Sequence, residues 1–429
     1  MKQPHSSLPG PHNIITGHLS NGLTVWVYEN FDTETVALEG YAVGGTINES
    51  AEQAGLASFV AAMLRRGTQK HSFDRLNEIV ESVGASFGFD SGRHTLAFDS
   101  YSLAEDFEMT LALLAESLLY PDFPAEELEK TRSHILTRIE EQKHSTRARA
   151  SQAFRQHIYP LGHPYRSSML GEEGSVRQFK RDDLAHFFTE KISPQNGIVV
   201  VVGAIQAGKA ISLLEKAVGA WQHPQAHPDL STPPPPLLMN KIERNVTVHG
   251  KSQSDLIMGW PGIARSNPDY LPMLVCNSIL GSFGLGGRLG SRVREELGLA
   301  YYIYSSFSAN KGAGTWRAVA GVNRDNMPLA IETILTEAAR IVGEPVSDEE
   351  LQDVQSNLIG SLPLQMETNS GIAGRLINMA WYDLGQDYLL NYAKNIRAVG
   401  KEDILRVAQT YLDPECYVLA VAGPPPEAS

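Results

Sequence analysis

Thirteen histidines are the residues best suited to hold a metal or move a proton near neutral pH, and their spacing decides whether they can. Two histidines four residues apart on a helix share one face and can bind a single zinc ion, with a glutamate between them as general base. Neither H-E-x-x-H nor H-x-x-E-H occurs in the chain. The nearest pairs are His157/His163, in HIYPLGHPYR, and His223/His227, which lie among prolines where ordering two ligands costs backbone entropy. His134 shares a helix face with the cation Arg138, the setting of a surface residue. The two cysteines, Cys276 and Cys416, are far apart, outside any C-x-x-C pattern, and sit in apolar surroundings that favour an inert thiol. No G-x-S-x-G elbow supplies a nucleophilic serine. The glycines of CNSILGSFGLGGRLGSRVREELGLAYYIYSSF, residues 276–307, invite a phosphate-loop reading, but no G-K-[ST] follows and the dinucleotide spacing is absent. They predict instead a tight turn before a helix over 291–297, which Gly298 stops ahead of a tyrosine-rich strand.

The elements that position these residues form two halves. The chain of 429 residues is too long for one ordinary core, and 42% hydrophobic with 20% charged residues fits a globular protein. Prolines at 224, 228 and 233–236 restrict themselves and their predecessors to extended backbone, which predicts a stiff linker over 225–240 between domains at 1–224 and 241–429. Both halves end alike: RDDLAHFFTEKISPQNGIVVVVGAI matches KEDILRVAQTYLDPECYVLAVAGPP, with Asp183 against Asp403, Pro194 against Pro414 and Gly203 against Gly423. Each copy reads as an amphipathic helix, a proline-bearing turn and an apolar strand closed by glycine. Glu127-Leu128 and Glu350-Leu351 repeat at nearly the same offset. Strands are expected at 23–28, 35–43, 85–89 and 94–100 in the first half and at 246–249 and 255–260 in the second, mixed with helices but without strict βαβ alternation. The fold class is therefore α+β, two homologous α/β-sandwich-type domains with mixed sheets and helices packed on one face.

The segment GGTINESAEQAGLASFVAAMLRRGT, residues 44–68, resembles the opening of pitrilysin- and insulinase-type peptidases, mitochondrial processing peptidase among them, where a Gly-Leu-Ala lead precedes H-x-x-E-H. The resemblance puts Ser58, Ala61 and Ala62 where that family has its two histidines and glutamate; the residues by themselves read more simply, with Leu56, Phe59, Val60, Met63 and Leu64 on a buried stripe and small residues facing a cavity. Counting about 76 residues on from Ala62, where the family carries its third ligand, a glutamate, reaches Arg138 in EKTRSHILTRIEE. Alanine has no donor atom, serine is not among the usual zinc ligands, and a cation repels the metal, so the resemblance implies that this chain binds no zinc. It also implies a retained pair. The family brings an arginine and, seven residues on, a tyrosine to a zinc site, and Arg294 and Tyr301 have that spacing within R-E-E-L-G-L-A-Y. A phenol can donate to the oxyanion of a tetrahedral intermediate, and a guanidinium can hold a peptide carbonyl or carboxylate. Arg288 and Arg292 are neighbours at other spacings, and Tyr302 should face away from Tyr301.

The resemblance spans nearly the whole chain, from SNGLTVWVYEN through GHPYR to the terminal repeat. It implies a non-catalytic subunit of a two-chain zinc endopeptidase: a homologous partner holds the zinc, the substrate is a peptide, and Arg294 and Tyr301 act in the partner's site. The competing expectation is a structural or peptide-binding protein on the same fold, and retention of the pair favours the first. A formal net charge of −13 argues against a nucleic-acid footprint, and no apolar stretch approaches the roughly 20 residues of a membrane-spanning helix. Without an apolar run in MKQPHSSLPGPHN, the cytoplasm is the expected compartment unless an export signal has been trimmed.

Overall fold

The computed structural model describes residues 8–223 and 228–425. Strands β1 (Ile14–His18), β2 (Thr24–Glu29) and β3 (Thr35–Val43) precede helices α1 (Leu56–Leu64) and α2 (Phe73–Ser82). The hairpin of β4 (Ser86–Ser91) and β5 (Thr95–Leu103) leads to α3 (Phe107–Leu119), α4 (Ala125–Lys143) and α5 (Thr146–Ile158). The first half closes with α6 (Glu173–Val176), α7 (Arg181–Lys191), β6 (Ser193–Gly203) and α8 (Ala207–Val218). After it come β7 (Ile242–Thr247), β8 (Gln253–Pro261), α9 (Tyr270–Asn277), β9 (Ala300–Ala309) and β10 (Ala313–Asn323). Five helices, α10 (Met327–Gly343), α11 (Asp348–Leu364), α12 (Asn369–Trp381), α13 (Tyr388–Arg397) and α14 (Lys401–Tyr411), end in β11 (Val418–Gly423).

These elements build two mixed sheets of the same plan. One has the order β1-β2-β6-β3-β5-β4 and the other β7-β11-β8-β10-β9. The repeated helix-turn-strand segment supplies an interior strand of each: β6 runs parallel to β2 and antiparallel to β3, as β11 runs parallel to β7 and antiparallel to β8. A strand with neighbours on both sides and both faces covered must be apolar throughout, which is why Val199–Val202 read as an unbroken run. The repeat extends to the caps. Asp183 accepts from the Lys180 N–H at 2.8 Å, and Asp403 accepts from the Gly400 N–H at 3.0 Å. Gly203 is fixed by a close approach: at φ +144°, a Cβ there would lie 2.1 Å from the Thr35 carbonyl oxygen.

The compact units do not follow chain order. One gathers Met1–Thr137, Ser168–Leu230 and Ser361–Tyr392, and the other Arg138–Ser167, Ser231–Gly360 and Ala393–Ser429. Each sheet thus receives a helix from the other half of the sequence. Helix α12 covers the face of the first sheet formed by Ile14, Ala37, Val43, Ile198, Val200 and Val202. Thr368 caps it by accepting from the Gly371 N–H, and Asn369 pins its start by donating to Thr33 and Thr35 and accepting from Asn30 at 2.7 Å. Burying Ile372, Leu376, Ile377, Met379 and Trp381 stabilises this docking by about 10 kcal/mol, taking about 2 kcal/mol per side chain. Helix α5, capped by Ser145, likewise packs on β8 and β11 of the second sheet, with Phe154 over Gly259.

Strand β7 begins four residues before the expected 246. Ile242 donates to the Tyr417 carbonyl at 2.8 Å and the ladder to β11 runs on to Thr247, so backbone pairing carries the strand through the polar Glu243, Arg244 and Asn245. Residues 224–227, where the expected linker begins, lie outside the described residues, and residues 228–240 form neither helix nor strand. Among the described residues, no helix is long and apolar enough to cross a membrane.

Candidate functional site

Helix α1 starts where the oxygens of the Glu49 carboxyl group accept from the N–H groups of Ala57 at 2.7 Å and Gly55 at 3.1 Å. Burial pushes the Glu49 carboxyl up to about 8, against the opposing pull of those two N–H groups and of the Arg93 charge. Leu56, Phe59, Val60, Met63 and Leu64 are all buried and seat the helix. Ser58 and Ala62, four apart, share a face and are half-buried; Ala61 is buried. The Ser58 hydroxyl donates to the Met169 carbonyl at 2.6 Å, so its proton is already committed. Arg138 is an exposed cation on α4. These residues do not fit a zinc ion, since two offer only a methyl group, one a hydrogen-bonded hydroxyl and one a positive charge. Among the described residues, no cluster of three or more His, Cys, Asp or Glu side chains is arranged to hold a metal.

The histidine pairs are committed elsewhere. His157 is bonded through Nδ1 to the Ala153 carbonyl and accepts from Arg244 Nε at Nε2, both at 2.7 Å. His163 accepts from the Tyr165 N–H at Nδ1 and donates from Nε2 to the Pro233 carbonyl at 2.8 Å. His223 binds the Ile192 carbonyl at 2.6 Å, while His227 lies outside the described residues. Cys276 is buried, which pushes its thiol well above the usual range.

Arg294 and Tyr301 stand on consecutive elements. Residues Gly290–Glu296 form a wide helical turn with i to i+5 hydrogen bonding, a geometry enriched at functional sites, in place of the ordinary helix expected there. Gly298, at φ +59°, ends it in the left-handed conformation that glycine adopts without a Cβ penalty. In β9, Ala300 pairs with Val322 and Tyr302 with Gly321, so the ladder is irregular at Tyr301, which falls between the two pairs. Tyr301 is 77% exposed, and Arg294 is exposed as well. The structure does not join them: neither side chain makes a hydrogen bond or ion pair among the described residues.

The neighbouring Arg288 behaves oppositely. It is buried and donates to both Glu350 oxygens, from Nε at 2.6 Å and from Nη2 at 3.1 Å. Burial would raise the Glu350 carboxyl, but the Arg288 hydrogen bonds and charge and the Ser347 N–H outweigh it and hold it down to about 2. The first unit holds a related pair, Arg66 with Glu127 at 3.6 Å. The Glu127/Glu350 correspondence of the sequence thus marks an arginine beside a glutamate in each unit.

A further polar network lies under α5. The Tyr302 hydroxyl donates to Asp255 Oδ1 and the Thr146 hydroxyl to Oδ2. Burial and the adjacent Asp255 push the Tyr302 phenol up. Arg147 donates to the Tyr304 hydroxyl and lies 5.1 Å from the Tyr302 ring centroid and 5.6 Å from that of Tyr304. Alternation along β9 could have placed Tyr302 and Tyr304 on one face, but nothing local to the sequence brings α5 to that sheet.

Comparison with known proteins matches two adjacent family models, "Insulinase (Peptidase family M16)" over residues 25–166 and "Peptidase M16 inactive domain" over residues 178–358. The uncharacterized zinc protease YmxG of Bacillus subtilis is 24% identical, covering 94% of this chain and 97% of that one. The mitochondrial-processing peptidase subunit beta of Lentinula edodes is 25% identical, covering 96% and 90%. A Helicobacter pylori relative at 24% identity, covering 84% and 82%, is named a non-peptidase homolog. A crystal structure described as a peptidase M16 inactive domain, from Pseudomonas fluorescens, superposes with a TM-score of 0.89 at 25% identity, over 96% of this chain and 98% of that one. With both family models matched in order and the two-sheet architecture shared almost end to end, this chain belongs to the M16, insulinase-type peptidase family.

Proposed function

We propose that the chain is the non-catalytic subunit of a heterodimeric zinc endopeptidase and lends Arg294 and Tyr301 to the site of a zinc-bearing homologous partner. The observation that carries this reading is Tyr301 itself. Its neighbours Tyr302 and Tyr304 are engaged in the network under α5, whereas Tyr301 presents a free hydroxyl to solvent from an irregular ladder position, a device that re-aims side chains. Among the described residues, nothing in its own unit bonds to that hydroxyl. In a partner's site it would donate to the developing oxyanion of a peptide bond, while Arg294 would hold the peptide through a carbonyl or carboxylate.

Reconstitution with a zinc-bearing homologous subunit tests the reading. Tyr301→Phe keeps the ring, so assembly should survive, and kcat should fall roughly 10²-fold to 10³-fold, about 2.7–4 kcal/mol, with KM little changed. Arg294→Ala should act at least in part through KM. Turnover unaffected by Tyr301→Phe would refute the lent-residue role. The second reading, a structural or peptide-binding protein without a part in catalysis, draws support from the relative named a non-peptidase homolog, and it would then stand.

A further inference from the structure

The second sheet carries a small cavity of about 310 Å³ between its α5 face and the start of that helix, bordered by Arg147 and Arg317. Arg317 and Val319 are two apart on β10 and therefore share a face; Val319 is flanked by Ile257 on β8 and Tyr304 on the edge strand β9. Val319 and Ile257 make an apolar floor, and the hydroxyls of Ser145 and Ser151 lie at the rim.

Among the described residues, neither guanidinium group is hydrogen-bonded to a carboxylate. Arg317 donates only from Nε, to the Ser306 hydroxyl at 3.2 Å, and Arg147 donates to the Tyr304 hydroxyl. Neither forms an ion pair among the described residues, and no acidic side chain lines the cavity. Asp255, whose charge reaches Arg147, has its two oxygens taken by Tyr302 and Thr146. The chain carries 49 acidic against 36 basic residues, so a shortage of carboxylates does not explain this. Ion pairs are abundant elsewhere, at Arg75, Arg132, Arg177, Arg288 and Arg406 among others.

We propose that this cavity is a recognition site for a peptide carboxylate, held between Arg147 and Arg317. A guanidinium fork matches the two oxygens of a carboxylate, and the Tyr302 and Tyr304 rings hold the Arg147 plane in place. The volume lies at the low end for a ligand pocket, room for one acidic side chain or a chain terminus with the rest of the peptide outside. Neither Arg294 nor Tyr301 lines the cavity, and the proposed recognition needs no partner subunit, so its test is independent of the proposed function.

Three short alanine-glycine peptides, each with an N-terminal trifluoroacetyl group, serve as probes: one with a free C-terminal carboxylate, one amidated, and one amidated with a central glutamate. Binding to the full-length protein is read by fluorine NMR. At least one carboxylate peptide should bind about ten-fold or more tightly than the neutral amide, and the one that does identifies the source of the carboxylate. Arg317→Gln should remove that preference, as should Arg147→Gln. Should Arg317→Gln fail to fold, Arg317→Lys keeps the charge but loses the fork and should weaken binding several-fold. Equal binding of the three peptides, no binding of any, or folded arginine variants that bind like the parent would overturn the proposal.

Discussion

Glu350→Gln probes the anchor of the segment that carries Arg294. Arg288 is 8% exposed and its partner carboxylate 28% exposed by side chain, so the substitution leaves a guanidinium facing an amide in a largely dry site. Breaking a buried pair from one side costs about 3–5 kcal/mol, and partial exposure of Glu350 lowers the expectation to about 2–3 kcal/mol. Replacing both partners, as Arg288→Met with Glu350→Leu, removes the stranded charge and should recover most of that loss. A chain of two compact units need not unfold in one step, so the readout is hydrogen exchange of the β9 and β10 amides alongside urea unfolding. Glu350→Gln should speed exchange there while amides of β2 and β6 keep their protection. A loss below about 0.5 kcal/mol, within the range of ordinary surface substitutions, would refute the reasoning, and so would a double variant less stable than Glu350→Gln alone.

Two other predictions follow from α1. The folded state keeps Glu49 protonated up to about 8, whereas an unfolded glutamate ionises near 4.3, so its contribution is complete at low pH and is lost as pH rises through about 8. Glu49→Gln should flatten the fall of Tm between pH 5 and 8.5; an unchanged slope would place the proton elsewhere. The combined Ser58→His, Ala61→Glu, Ala62→His and Arg138→Glu variant should take up stoichiometric zinc after dialysis, by elemental analysis, if the family register holds; a folded variant that stays metal-free would break the register.

Most of what the sequence made legible is local. Strand β3 begins and ends where alternation places it, Gly298 stops its helical turn, and Asp183 and Asp403 cap matching helices because each side chain reaches a backbone N–H three residues away. What escaped depends on partners distant in sequence. The irregularity at Tyr301 exists only relative to the pairing of β9 with β10, and Arg147 gains its aromatic partners only once α5 is laid on β8. The polar start of β7 was missed because backbone pairing to β11, rather than apolar side chains, defines it. Residue type alone, without tertiary context, says that Ala61 and Ala62 bring no donor atom to α1.

The reciprocal placement of α5 and α12 constrains how such a chain can be made or divided. As it leaves the ribosome, the first sheet must wait for Asn369–Trp381, roughly 170 residues beyond β6, before Val200 and Val202 are shielded, and a nascent chain in that interval presents an open apolar face. Cutting near residue 230 would yield two fragments, each lacking the helix that seals its own sheet and holding the one that fits the other. The two-fold exchange of helices written into this one polypeptide thus has the form of a swapped dimer joined into a single chain.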